Sequence, residues 1–307
     1  MRILITGGGG AGTEAIWRIW HERYELYFAD AYPKSILPDI PDQRRISIPM
    51  ANDPDFMSRL QGICNEYEVD LLIPGVDEEL LGLASVKGSR GWPDILLPDK
   101  AFVALTLDKL SSNKALVNAG LSAPKTELPR SINNVRFPCI VKPRRGRGSR
   151  GVMKLDSQEE VSAYLTIQKG KPEDYILQEL IVGREYTVFV AADVQSRLRA
   201  VIPVKVDLKR GVTIRAETDN EPAIIDYVKR FHKCFKVTGV YNIQCMLTDA
   251  RDVIPFEINP RISTTFCLAI STGFDPIRMN EGPITNIFTP QITYKLQRNW
   301  MNTITKH

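Results

Sequence analysis

Three oxygen-bearing side chains in the second half of the chain give its strongest chemical signal. Gln244, Glu257 and Asn259 lie on two segments in which apolar and polar residues alternate, and the alternation predicts that they share one face of a β-hairpin. Carboxylate and amide oxygens suit Mg²⁺ together with phosphate oxygens. Arg261, which follows closely, is placed to neutralise a phosphoryl group during its transfer. The alternative is a hairpin whose polar face is only hydrated.

This shared face depends on the register of the hairpin. The turn-forming residues Asp249–Asp252 are taken as its loop, so that Thr248 faces Val253. Counting back along both strands then places Gln244 opposite Glu257, close enough for their side chains to act together.

A second signal is a lysine followed by a cationic, glycine-rich loop. Lys142 ends an apolar strand, and Pro143–Gly151 is rich in arginine and glycine. Backbone N–H groups of such a loop bind polyphosphate, and the lysine adds a point charge. The segment lacks the residue order of a P-loop. An RNA-binding loop and a solvated turn without a ligand are the alternatives.

A third signal is the glycine run Gly7–Gly12 between a predicted strand and a predicted helix, with Asp30 at the end of the next strand. This is the dinucleotide-binding fingerprint, in which the glycines approach a pyrophosphate and the carboxylate binds a ribose. The alternative is a tight crossing from strand to helix without a ligand.

Composition limits the class of protein. The chain has 307 residues, 43% of them hydrophobic, and a formal net charge of +4, which predicts about two globular domains and no overall nucleic-acid-binding charge. Its apolar runs are too short to span a membrane and no signal peptide is evident, so a cytoplasmic protein is expected. The five cysteines predict small buried side chains and no disulfide framework, and His21, His232 and His307 are too scattered for a histidine metal site.

The elements expected to position these residues fall into two groups. Strands Arg2–Thr6, Leu26–Ala29 and Asp70–Ile73 alternate with amphipathic helices, which predicts a doubly wound parallel sheet that ends near residue 100. The later half predicts an α+β unit with an antiparallel sheet. Its predicted strands are Phe137–Val141, Glu185–Ala192, Leu198–Val206, Gly239–Leu247 and Asp252–Asn259, and its predicted helices are Gln158–Leu165 and Ile224–Phe235.

Taken together, the motifs resemble the ATP-grasp superfamily, and within it a single synthetase half of the carbamoyl-phosphate synthetase large subunit. Each motif alone is only moderately specific for this superfamily, whereas their order and spacing together are highly specific. The matching segments are Asp108-Lys109 before a helix that stops at Gly120, Phe137–Pro143, Gln178–Glu185, Glu257–Ser263 and Ser271–Phe274. The resemblance implies a Rossmann-like pre-ATP-grasp domain over 1–103 and an ATP-grasp domain over 104–307, with a small lid subdomain at about 115–180 and an antiparallel C-terminal subdomain.

The resemblance also implies site residues. Lys109 and Lys142 would contact the nucleotide phosphates beneath a lid loop that includes Ser149. Gln178 and the Leu180 backbone would meet the adenine, and Glu185 would bind the ribose. Gln244, Glu257 and Asn259 would hold Mg²⁺, and Arg261 and Lys142 would be the catalytic residues.

The implied activity is an ATP- and Mg²⁺-dependent ligase that activates a carboxylate as an acyl phosphate and couples it to an amine or ammonia, with release of ADP and phosphate. Mn²⁺ is the alternative metal. The expected partners are small carboxylate and amine substrates, without nucleic acid or membrane, and a homodimer is the expectation for a symmetric enzyme. An NAD(P)-dependent oxidoreductase that uses Gly7–Gly12 and a non-catalytic nucleotide-binding protein of the same fold are the alternatives.

Two parts of the chain remain without an assigned role. Asp77, Glu78 and Glu79 would bind an amine, or they are an ordinary acidic helix N-terminus. With one synthetase half and a short tail, Glu281–His307, the chain is not expected to be a complete carbamoyl-phosphate enzyme.

Overall fold

The computed structural model describes residues 1–130, 132, 134–282 and 286–299. Its first unit is a five-stranded parallel sheet with the order β3-β2-β1-β4-β5. Central β1 buries side chains on both faces, since Ile3 and Ile5 belong to one core cluster and Leu4 to another. The elements of this unit are β1 (Arg2–Thr6), α1 (Thr13–Trp20), β2 (Glu25–Asp30), β3 (Arg45–Ser47), α2 (Phe56–Glu66), β4 (Leu71–Ile73), α3 (Asp77–Val86) and β5 (Asp94–Ile95).

Two helices lead out of this sheet, α4 (Lys100–Thr106) and α5 (Lys109–Asn118). Each begins at an aspartate whose carboxylate accepts backbone N–H groups of the first turn, and Asp108 does so for α5 at 3.0 and 3.1 Å. Helix α5 stops before Gly120, whose φ of 68° is readily adopted only by glycine. The cap at Asp108 therefore fixes the position of Lys109 as the first residue of α5.

A four-stranded antiparallel sheet follows, with the order β6-β9-β7-β8. The strand predicted at Phe137–Val141 begins two residues later, so that Lys142 lies within it. The elements are β6 (Thr126–Glu127), β7 (Cys139–Pro143), β8 (Met153–Leu155), α6 (Gln158–Gln168) and β9 (Tyr175–Glu179).

The third sheet has six antiparallel strands in the order β14-β13-β10-β11-β12-β15. The predicted strands are confirmed as β10, β11, β13 and β14, whereas β12 and β15 were not predicted. The elements are β10 (Arg184–Ala192), β11 (Leu198–Arg210), β12 (Val212–Thr218), α7 (Pro222–Phe235), β13 (Gly239–Leu247), β14 (Val253–Asn259), α8 (Phe266–Ser271) and β15 (Lys295–Gln297).

The parallel sheet and the six-stranded sheet share a hydrophobic core. One cluster contains Ile3 and Trp20 from the first unit together with Phe189 and Phe266 from the third. Trp20 is 1% exposed, and its ring meets that of Phe266 edge-on at 5.5 Å between centroids. These two sheets are thus joined by apolar packing.

Several predictions about single residues have an outcome here. Four cysteines are buried, as predicted, but Cys234 is exposed, and all five are free. No helix in the described ranges is long and apolar enough to cross a membrane. Of the predicted tail, residues 283–285 and 300–307, including His307, lie outside the described residues.

We predict that Phe266→Ala lowers the free energy of unfolding by about 3–5 kcal/mol, because it leaves a cavity where the two sheets meet. Urea denaturation followed by tryptophan fluorescence measures this change. Val117→Ala, at a side chain that is 57% exposed, is the control and should stay within about 0.5 kcal/mol of the parent. Equal stability of the two variants would show that the shared core does not hold the sheets together.

Candidate active site

Gln244 and Glu257 face each other across β13 and β14, as predicted. The register arises differently from the prediction, however. The hairpin loop has three residues, because the N–H of Thr248 donates to the Asp252 carbonyl at 3.0 Å. Val253 therefore faces Leu247 and not Thr248.

A β-bulge in β14 restores the predicted pairing. Cys245 faces Pro255 while Gln244 faces Glu257, so that Phe256 is the extra residue. The Nζ of Lys142 donates to the carbonyl of Phe256 at 2.9 Å and lies 5.5 Å from the centroid of its ring. The bulge thus turns Glu257 toward its predicted face and anchors a lysine from the four-stranded sheet.

Lys142 is the most deeply buried cation of the site, with 4% of its surface exposed. Burial is the main cause that lowers its pKa to about 8; the Glu257 carboxylate opposes this shift, and Lys109 and Lys209 add to it. The ammonium group of Lys142 consequently loses its proton at a lower pH than an ordinary lysine does.

Lys109 joins the N-terminus of α5 to the loop and to the hairpin. Its Nζ lies 3.4 Å from Oε1 of Glu257 and donates to the Gly146 carbonyl at 2.8 Å. Arg144 pairs with Asp108, the residue that caps the helix, at 2.5 Å between Nη2 and Oδ2. Part of the loop's arginine content therefore holds the loop to the helix start.

Lys209, on β11, was not predicted. Its Nζ lies 2.6 Å from Oε1 of Glu185 and donates to Oε1 of Gln244 at 3.1 Å. The predicted strand ends at Val206, whereas the observed strand continues to Arg210. The polar residues Lys205 and Lys209 at even spacing were the signal that would have extended it.

Asn259 and Arg261 are oriented by a chain of contacts. Nδ2 of Asn259 donates to Oδ1 of Asn242 at 3.3 Å, and Nδ2 of Asn242 donates to the Arg261 carbonyl at 2.9 Å. The amide donor of Asn259 is thus used within the protein, which leaves its Oδ1 for a ligand. The guanidinium of Arg261 pairs with Asp77 and donates to the Ile262 carbonyl at 2.8 Å.

The donor set fits a hard metal ion with few protein charges. Within the described ranges no cluster of three or more His, Cys, Asp and Glu residues would hold a metal. Glu257 supplies one carboxylate, and Gln244 and Asn259 supply amide oxygens. Mg²⁺ commonly binds one or two carboxylates and completes its shell with water and substrate phosphates. The residues therefore fit Mg²⁺ in the company of a polyphosphate.

Two cavities meet at this cluster. The smaller one, of about 280 Å³, lies between the four-stranded and six-stranded sheets. It is lined by all six of the predicted nucleotide-binding residues, Lys109, Lys142, Ser149, Gln178, Leu180 and Glu185. Gln178 is held by a hydrogen bond from its Nε2 to Oγ1 of Thr126 at 3.0 Å. Apolar side chains, including Ile181 and Met246, complete the walls.

The larger cavity, of about 650 Å³, lies between the parallel sheet and the six-stranded sheet. It contains Gln244, Asn259 and Arg261, which the smaller cavity does not. Five residues line both cavities: Arg147, Ser149, Arg150, Lys209 and Glu257. The structure therefore brings the predicted residues to two adjoining spaces rather than to one.

The glycine-rich loop after β7 covers the junction of the two cavities, since its residues Arg147, Ser149 and Arg150 line both. Gly146, Gly148, Ser149 and Gly151 all have positive φ, and Ser149 adopts 57°. Arg147 reaches the parallel sheet, where its Nε lies 2.9 Å from Oε2 of Glu78 in α3. The loop is thus held to helix α3 as well as to the start of α5.

Part of the run Gly7–Gly12 lines the larger cavity, next to Asp30. The carboxylate of Asp30 accepts the N–H groups of Gly9 and Tyr32, both at 2.9 Å. At Gly12 a Cβ atom would lie 2.9 Å from the Thr264 carbonyl, because the loop before α8 packs against the start of α1. Both oxygens of the Asp30 carboxylate therefore already accept hydrogen bonds from the protein, whereas Gly7, Gly9 and Gly10 line the larger cavity.

A buried carboxylate lies beside this glycine run. Glu79 is 2% exposed; its Oε1 accepts from Thr6 and from the N–H groups of Gly75 and Val76, the latter two at 3.1 and 3.0 Å. Burial raises its pKa to about 7, against the lowering effect of these donors and of Arg261. Its Oε2 is buried and has no hydrogen-bond partner within the described part of the chain.

Comparison with known proteins places these features in context. Residues 106–265 match the model of the ATP-grasp domain. The carbamoyl phosphate synthase large chain of Thermoanaerobacter sp. is 24% identical over an alignment of 199 residues that covers 58% of this chain and 18% of that protein. A D-alanine–D-alanine ligase of Alcanivorax borkumensis is 32% identical over 134 residues, 44% of this chain and 36% of the ligase. The chain thus matches well under half the length of these relatives.

Solved structures share the fold at low identity. Biotin carboxylase of Campylobacter jejuni has a TM-score of 0.68 and 15% identity, over 93% of this chain and 72% of that one. The L-amino acid ligase of Bacillus licheniformis has a TM-score of 0.67 and 15% identity, over 91% and 72%. These neighbours support the mixed α/β architecture with antiparallel sheets. Because the domain model also covers more than half of the sequence, the chain belongs to the ATP-grasp family.

Proposed function

We propose that the protein is an ATP- and Mg²⁺-dependent ligase, which activates a carboxylate as an acyl phosphate and couples it to an amine or ammonia. The observation that carries this proposal is the junction of the two cavities. The residues common to both include Lys209, Arg147 and Glu257, and such a mixture of cations and a metal-binding carboxylate suits the point at which a phosphoryl group passes from nucleotide to substrate.

The smaller cavity would bind ATP. Lys109 and Lys142 would contact its phosphates beneath the loop that contains Ser149, Gln178 and the Leu180 backbone would meet the adenine, and Glu185 would bind the ribose. Without a ligand, Lys109 pairs with Glu257 and Lys209 pairs with Glu185. These lysines are therefore already positioned where anionic phosphates would replace the carboxylates as their partners.

Gln244, Glu257 and Asn259 would hold Mg²⁺, which when bound neutralises phosphate charge and orients the polyphosphate. In the reaction an oxygen of the carboxylate substrate attacks the γ-phosphorus, and the bond to ADP breaks. The amine then attacks the acyl carbon, phosphate leaves, and the nitrogen loses a proton. Arg261 and Lys142 would stabilise the transferred phosphoryl group and the acyl phosphate.

We further propose the division of the chain into a Rossmann-like pre-ATP-grasp domain over 1–103 and an ATP-grasp domain over 104–307, with the lid at about 115–180. The five-stranded parallel sheet and the separate four-stranded sheet support this division. Both oxygens of Asp30 already accept backbone hydrogen bonds, which supports the ligase over the NAD(P)-dependent oxidoreductase, in which this carboxylate would bind a ribose.

Calorimetric titration tests the nucleotide choice. A non-hydrolysable ATP analogue should bind in a Mg²⁺-dependent manner to the full chain, whereas NADH and NADPH should not bind. Binding of a nicotinamide cofactor alone would refute the ligase and restore the oxidoreductase.

We predict that Glu257→Ala reduces substrate-dependent ADP release at least about a hundredfold, because it removes the carboxylate of the proposed metal site. Turnover is measured by coupled ADP detection, and circular dichroism checks the fold. Glu217→Ala is the matched control. Glu217 lies in the same sheet as Glu257, its side chain is 21% exposed against 19% for Glu257, and it also pairs with a lysine, but it lines neither cavity. Retained turnover in Glu257→Ala would refute the metal assignment.

We also predict that affinity for the ATP analogue falls about tenfold between pH 7 and pH 9, since only the charged form of Lys142 binds phosphate. Its pKa of about 8 means that Nζ is protonated below this pH, and that binding above it must take up a proton. Calorimetry in buffers of different ionisation enthalpy would measure the uptake directly. A flat affinity profile without proton uptake would exclude Lys142 from the phosphate contact.

A further inference from the structure

The larger cavity has walls of opposite charge. Its N-terminal wall, which we define as the lining residues from the parallel sheet and its loops, carries the carboxylates Asp30, Glu78 and Glu79 and neither lysine nor arginine. Its opposite wall, from the six-stranded sheet and the loop over the junction, carries Lys209, Arg261, Arg147 and Arg150, with Glu257 as its carboxylate. A cationic ligand group is therefore drawn to the N-terminal wall and an anionic group to the other.

Among the described residues, the N-terminal wall contains one buried side-chain oxygen without a hydrogen-bond donor. Asp30 is held by two backbone N–H groups, and Glu78 pairs with Arg147. Oε1 of Glu79 accepts three hydrogen bonds, whereas Oε2 is buried and has no partner within the described ranges. A buried carboxylate oxygen is costly to leave unpaired, so a donor such as an ammonium group is the complementary ligand.

The outer part of the N-terminal wall is uncharged and largely apolar. It consists of two loops, one containing Tyr32 and one containing Pro49 and Met50, together with Phe56 at the start of α2. Tyr32 is 70% exposed and Met50 is 52% exposed, although both are large and hydrophobic. Exposed apolar side chains on a concave surface are typical of a ligand-binding wall.

We propose that this cavity binds an organic amine as acceptor, with its ammonium group toward Glu79 and an uncharged, partly apolar body against Tyr32 and Met50. The carboxylate substrate then lies against the cationic wall, beside the junction. This inference rests on the proposed ligase function and specifies its second substrate. A cavity of about 650 Å³ is far larger than ammonia requires, and the acidic wall disfavours a phosphorylated acceptor.

ADP release from the full chain tests the acceptor class. The protein is given MgATP, a fixed pool of carboxylates that includes bicarbonate, and one acceptor at a time: ammonium, L-phenylalaninamide, glucosamine or glucosamine 6-phosphate. We expect an amine whose body is uncharged to raise the rate of ADP release at least tenfold above the rate with ammonium. We also expect a higher rate with glucosamine than with glucosamine 6-phosphate. Equal or greater rates with ammonium or with the phosphorylated amine would overturn the proposal.

Two variants separate the wall from the rest of the site. Met50→Arg should raise the half-saturating concentration of the best amine at least tenfold while changing affinity for the ATP analogue by less than twofold. Ile167→Arg is the control, since Ile167 is 76% exposed and lines neither cavity, and it should change neither quantity. Unchanged amine saturation in Met50→Arg would overturn the assigned wall.

The outcomes also separate this inference from the proposed function. If the full chain does not bind the ATP analogue in the presence of Mg²⁺, the ligase itself is refuted. If it binds the analogue but no amine stimulates ADP release, the nucleotide site stands and the acceptor assignment is overturned.

Discussion

Side chains of a β-strand alternate between two faces, so a single extra residue exchanges the faces of everything beyond it. In this chain the three-residue hairpin loop would by itself pair Gln244 with Phe256. The bulge at Phe256 adds one residue and brings Glu257 to that position instead. The same residue accepts the hydrogen bond of Lys142. The site therefore depends on one irregularity, which sets the face of its carboxylate and also anchors its most buried cation.

The charged groups around this bulge satisfy one another before any ligand binds. Lys109 lies beside Glu257, Lys209 lies between Glu185 and Gln244, and Arg261 pairs with Asp77. Buried charges without partners would destabilise the fold, so the arrangement keeps a highly charged cavity compatible with a folded protein. A polyphosphate with its metal ion carries both signs of charge and is complementary to both members of each pair.

Regular alternation made much of the fold predictable. Gly239–Leu247 is observed with the predicted bounds. The predicted pairing of Gln244 with Glu257 is also observed, but only because the bulge makes up for a loop that is one residue shorter than predicted. The features that were missed depend on tertiary contacts. Strand β15 has three residues and exists because it pairs with β12, and the contact of Arg147 with Glu78 joins residues far apart in the chain. The bulge has no local signal, since Phe256 fits a regular strand equally well.

The four-stranded sheet has a hydrophobic core of its own, which includes Val135, Cys139 and Leu177 and no residue from the other two sheets. Its contacts with the rest of the protein include the hydrogen bonds and ion pairs of Lys142, Arg144 and Arg147. Apolar packing, by contrast, joins the parallel and six-stranded sheets. Dissolved salt screens exposed charges but leaves buried hydrocarbon contacts largely intact, so ionic strength weakens the contact between Arg147 and Glu78 more than it weakens the core shared by the parallel and six-stranded sheets.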